Sequence, residues 1–107
     1  MFGLYERDVD MIVNALKENK EIEQAFIFGS RALGNYKKGS DVDLVVTGEN
    51  VTDKTIANLN ELLNETYPLP YFFDILQYEK IQNEHLKKHI DKHGVDVYVR
   101  GMGSRAK

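Results

Sequence analysis

Ser40-Asp41-Val42-Asp43-Leu44-Val45-Val46 sets two carboxylates in alternation with apolar side chains and then runs on as a continuous apolar stretch. A short aliphatic run of this kind, stopped by Thr47-Gly48-Glu49-Asn50, reads as a buried strand. With a side-chain period of two, Asp41 and Asp43 leave one face about 7 Å apart along the chain. Val42 and Leu44 turn to the other face, toward a core. Two carboxylates on one sheet face repel each other unless a cation lies between them. Hard oxygen ligands of this type suit Mg²⁺, which takes carboxylates together with substrate phosphates. An isolated Asp-x-Asp reads more simply as an exposed pair at a strand end, so the surrounding residues decide between the two.

Upstream, Ala25-Phe26-Ile27-Phe28 is a second apolar run, ended by Gly29-Ser30. The stretch Phe28-Gly29-Ser30-Arg31 therefore lies where a strand hands over to a helical turn. Glycine lets the backbone come close to a ligand, and helix-start amides with a Ser hydroxyl donate well to phosphate oxygens. By itself the tripeptide says little: Gly103-Ser104-Arg105 repeats it with no strand before it and no acids after it. Arg31 fits either a phosphate contact or a surface salt bridge. Between Arg31 and Ser40, Gly34, Asn35 and Gly39 indicate a short helical turn and loop, with Tyr36, Lys37 and Lys38 most simply solvated.

Downstream, Tyr71-Phe72-Phe73-Asp74-Ile75-Leu76 reads as a third strand, apolar and aromatic apart from one carboxylate. A charge left unpaired inside a sheet costs on the order of several kcal/mol. If this strand lay beside the Asp41–Asp43 strand, about 4.8 Å away, Asp74 would join the same cation cluster. The bland alternative is a strand-edge Asp bonded to Lys or backbone.

Helical patterns fill the intervals. Val9, Ile12, Val13 and Leu16 give an amphipathic helix over residues 6–19. Thr52 or Asp53 caps a second helix with Ile56, Leu59, Leu62 and Leu63 inward, which Pro68 and Pro70 cannot prolong. A polar third spans residues 79–92, held by Ile81, Leu86 and Ile90, with Gly94 at its end and a short strand from Val95 to Val99. The order predicts an α/β domain over residues 1–100, a mixed β-sheet flanked by helices, with 101–107 a disordered tail. His85, His89 and His93 recur at helical spacing. The outer two lie about 12 Å apart along the axis and no Cys accompanies them, so a solvated or partner-facing stripe fits better than a metal site.

Composition narrows the function. The 107 residues allow one domain with one modest core. There is no Cys, hence neither a disulfide nor a thiolate metal site. Charge interrupts the N-terminus too early for a signal sequence, and no apolar run approaches the roughly 20 residues that span a bilayer. The cytoplasm is the expected compartment, with no membrane partner. A net charge of −3, with basic residues only in short local pairs, argues against a long nucleic acid as the main ligand. A small phosphorylated ligand needs only a local site.

Gly29-Ser30-Arg31-Ala32-Leu33-Gly34, then Ser40-Asp41-Val42-Asp43-Leu44 and the later Asp74, resembles the DNA polymerase β-type nucleotidyltransferase superfamily. Within it the short chain is similar to the minimal nucleotidyltransferase (MNT) antitoxins paired with HEPN-domain toxins. The likeness spans about residues 25–76, and none of Gly29, Ser30, Asp41, Asp43 or Asp74 departs from the pattern. It implies a polymerase β-like fold in which Gly29 and Ser30 hold a nucleoside triphosphate. Asp41 and Asp43 would bind two Mg²⁺ ions, and Asp74 would complete the site and help deprotonate an acceptor hydroxyl. The implied function is transfer of AMP from ATP to a tyrosine of a HEPN toxin, in a hetero-oligomer with it, neutralising the toxin. Two rivals stand beside it: a non-catalytic contact inhibitor that keeps the nucleotide site, and a partner-assisted enzyme acting on a small molecule such as an aminoglycoside.

Overall fold

The computed structural model describes residues 3–29, 31, 34 and 41–101. Its elements are α1 (Glu6–Glu18), β1 (Gln24–Phe28), β2 (Val42–Thr47), α2 (Asp53–Glu61), β3 (Phe73–Gln77), α3 (Glu84–His93) and β4 (Val95–Val99). A π-helical turn, Leu62–Thr66, prolongs α2, and a 3₁₀ turn, Tyr78–Lys80, follows β3. Apart from Gly34, the expected loop between Arg31 and Ser40 lies outside the described residues, as does the tail beyond Gly101.

The strands form one mixed sheet in the order β3-β2-β1-β4. β1 runs antiparallel to both β2 and β4, whereas β2 and β3 are parallel. The parallel pair needs a crossover, and α2 supplies it. α2 starts on a reciprocal cap, in which Thr52 accepts from the Thr55 N–H and the Thr55 side chain accepts from the Thr52 N–H.

Alternation along each strand divides the sheet into two faces. Ala25, Ile27, Val42, Leu44, Val46, Phe73 and Val97 face α1 and α2, and with Val9, Ile12, Leu16, Leu59 and Leu63 they form the main core. The apolar stripe expected of α1 is buried throughout. The opposite face is thinner: Phe28, Val45 and Ile90 are buried there, with Phe26, Leu76, Ile81 and Leu86 packed partly over them by way of α3.

Two boundaries differ from the sequence reading. The third strand begins at Phe73, because pairing with β2 starts at Val42↔Phe73 and the Tyr71 side chain turns away to bond Asp8. The last helix begins at Glu84 rather than near residue 79, because the Asn83 side chain accepts the Leu86 N–H and caps it there.

Candidate active site

The acids meet where β2 begins. The register pairs Phe28 with Asp43 and Asp43 with Asp74, so all three share one row of the sheet and project on the α3 face. Val45 and Leu76, two residues further on each strand, are covered by the α3 cluster. Asp43 and Asp74 stand where that cover stops. Asp74 and Asp41 are exposed, whereas Asp43, on the inner strand, is half-buried. Loss of hydration, then the Asp74 carboxylate, then the Asp41 carboxylate raise the Asp43 carboxyl above its ordinary 3.8. Its ionised form is therefore held at a cost, which a cation would offset.

Gly29 closes the site from the β1 side. It has a φ of +74°, and a Cβ built there would lie 2.5 Å from Asp43 Oδ2. A side chain there would be strained and would push the carboxylate aside, and glycine lets the main chain lie against it. Ser30 lies outside the described residues.

Arg31 is placed otherwise than as a surface ion pair. It is 3% exposed, and its guanidinium sits 5.1 Å from the centre of the Tyr71 ring. The Tyr71 hydroxyl donates to Asp8 Oδ2 at 2.9 Å, and Asp8 itself is buried. Burial, and then this bond, push the Tyr71 hydroxyl upward, so it remains a donor. Tyr71 and Asp8 had escaped the sequence reading. Asp8 carried a signal, since it stands four residues before Ile12 on the apolar stripe of α1, where an unsupported carboxylate would not lie.

The histidine stripe has a packing role in part. His89 meets Phe28 edge-on with ring centres 6.5 Å apart, and His93 lies 5.1 Å from His89, while His85 is exposed.

An all-oxygen donor set suits a hard cation. Among the described residues, however, no three His, Cys, Asp or Glu side chains close into a metal cage. Mg²⁺ characteristically uses one or two carboxylates and completes its shell with water and substrate phosphates, and the register pair Asp43–Asp74 with Asp41 ahead of it is open in that sense.

Comparison with known proteins gives a family and a shared fold. The profile of the family described as Polymerase beta, Nucleotidyltransferase matches residues 10–101. Among solved structures, a toxin–antitoxin crystal structure with AMP-PNP aligns with a TM-score of 0.71 at 18% identity, covering 87% of this chain and 74% of that one. The toxin–antitoxin MntA-HepT aligns with a TM-score of 0.67 at 15% identity, covering 89% of this chain and 73% of that one. At these identities the likeness establishes a shared fold. No curated protein matches the chain significantly. No helix among the described residues is long and apolar enough to cross a membrane. With a family profile covering nearly all of the described structure, the chain belongs to the polymerase β-type nucleotidyltransferase family.

Proposed function

We propose that this protein transfers AMP from ATP to a hydroxyl of a partner protein, and that it acts as the antitoxin of a HEPN-type toxin. The observation that carries the reading is the row Asp43–Asp74 on neighbouring strands, with Asp41 ahead of it and the Gly29 main chain pressed against it. The toxin–antitoxin structures that share the fold, one of them with AMP-PNP, support both the nucleotide and the partner. ATP as substrate favours the cytoplasm.

In this reading Gly29 and Ser30 receive the triphosphate on main-chain amides and a hydroxyl, where only a residue without a side chain allows that approach. Arg31, stacked on Tyr71, orders the start of the same turn and lends it positive charge. Asp41, Asp43 and Asp74 would hold Mg²⁺, which when bound neutralises the charge that develops on the phosphates. Asp74 is exposed on the outer strand and accepts the proton of an incoming hydroxyl. The hydroxyl oxygen attacks the α-phosphorus, the bond from that phosphorus to the bridging oxygen breaks, and pyrophosphate leaves with the electron pair.

The test is to incubate the protein with radiolabelled ATP, Mg²⁺ and the product of its neighbouring gene, beside the Asp41→Ala/Asp43→Ala variant. Label should appear on the partner with the intact acids and be lost without them. Partner binding that survives in the variant, with no label in either case, would replace this reading with contact inhibition. Label on an aminoglycoside instead would replace the acceptor.

A further inference from the structure

A cleft of ≈ 660 Å³ runs along the outer side of β3. Ile56, Ala57 and Asn60 of α2 line one wall, Ile81 and Leu86 line the other, and β3 lies between them. Asp74 opens onto it. The cleft thus joins the acid row directly.

The main chain of β3 determines what such a cleft can hold. The Val42 N–H donates to the Phe72 carbonyl at 2.9 Å, so the ladder with β2 engages Phe72, Asp74 and Leu76. Phe73, Ile75 and Gln77 then turn their N–H and C=O groups toward the open edge. At Phe73 both groups are taken by one side chain: Asn64 accepts from the N–H at 2.8 Å and donates to the C=O at 3.0 Å. Among the described residues nothing takes the corresponding pair at Ile75, which adjoins Asp74.

Charge excludes other ligands. The ionisable groups lining the cleft are Asp53, Lys80 and Asp74, and Lys80 is paired with Asp53. No cation is left there for a phosphate backbone. A lone carboxylate is also too little for a polycationic drug. What remains is an apolar trough with unmatched peptide-type donors and acceptors, which complements an uncharged polypeptide in extended form.

We propose that this edge is the acceptor site: an extended, uncharged, hydroxyl-bearing segment of the partner protein adds as a strand beside Ile75 and so delivers its hydroxyl to Asp74. The idea rests on the nucleotide-transfer reading. Its alternate side chains would meet Ile56 and Ala57 on one side and Ile81 and Leu86 on the other, which makes these residues the selectors of sequence. The transferred bond is the one already described, from the segment's oxygen to the α-phosphorus, with the proton passing to Asp74.

Two variants of the full chain test it with the neighbouring-gene product as probe. Asn60→p-benzoylphenylalanine, irradiated in the mixture, should crosslink to the same segment of the partner that carries the nucleotide. Ala57→Trp, on the exposed side of α2, should fill the trough and lower labelling at least about tenfold while ATP affinity stays within about twofold. Crosslinks to a different segment, no crosslink at all, or unchanged labelling in Ala57→Trp would overturn the edge site. A partner crosslinked in the cleft but never labelled by the intact protein would sustain the edge site and overturn the transfer reading.

Discussion

The two faces of this sheet are built from the same strands and do opposite work. β2 sends Val42, Leu44 and Val46 into a closed core beneath α1 and α2. Its alternate residues, Asp43 and Val45, lie on the face that α3 covers only in part. On the first face these three β2 positions are all apolar and fully enclosed. On the second, a buried valine stands two positions along from an acid that burial and like charges make costly to ionise. Stability is thus concentrated on one side of a single layer, and the other side carries the polar strain that chemistry needs.

Substitutions can break this contrast or sharpen it. Phe73→Ala, in the closed core, should cost about 3–5 kcal/mol in urea unfolding, against about 2 kcal/mol for Ile90→Ala under the half-covered face. Equal losses would mean that the two faces are equally closed. Gly29→Ala should cost about 1–2 kcal/mol from its left-handed backbone alone. It should also displace the Asp43 carboxylate, and nucleotide transfer to the partner should fall with the fold largely intact by circular dichroism.

The smallest effect should have the opposite sign. Asp43→Asn removes a carboxylate whose ionisation opposes folding, so metal-free protein should melt a few degrees higher at neutral pH while losing transfer. The raised carboxyl means that wild type has its full relative stability below its ordinary 3.8 and loses it as pH rises through the folded value. The advantage of the variant over wild type should therefore vanish in melts below pH 3.8, and an advantage that persists there would point to packing.

Periodicity made most of the elements legible. The stripe of α1, the apolar runs of β1 and β2 and the strand after Gly94 are local patterns, and local patterns survive folding when burial reinforces them. The acids were legible as residue types. That Asp43 and Asp74 share a row was not, because strand adjacency is a tertiary fact that no spacing within one strand encodes. The misplaced boundaries have the same origin. Asn83 could have been taken as a cap from its position before Glu84, but Tyr71 left its strand for Asp8, a partner 63 residues away. Arg31 followed Tyr71 inward, against the habit of exposed arginine.

The Asn64 side chain has a consequence for how the molecule behaves in a crowd. An outer strand with free peptide groups invites other chains to stack onto it and grow into aggregates. By occupying both groups of Phe73, one amide from the π-helical turn blunts the start of β3, and the 3₁₀ turn at Tyr78–Lys80 ends the strand soon after. Only a stub of template is left between them, long enough to grip a short visitor and too short to seed a fibril.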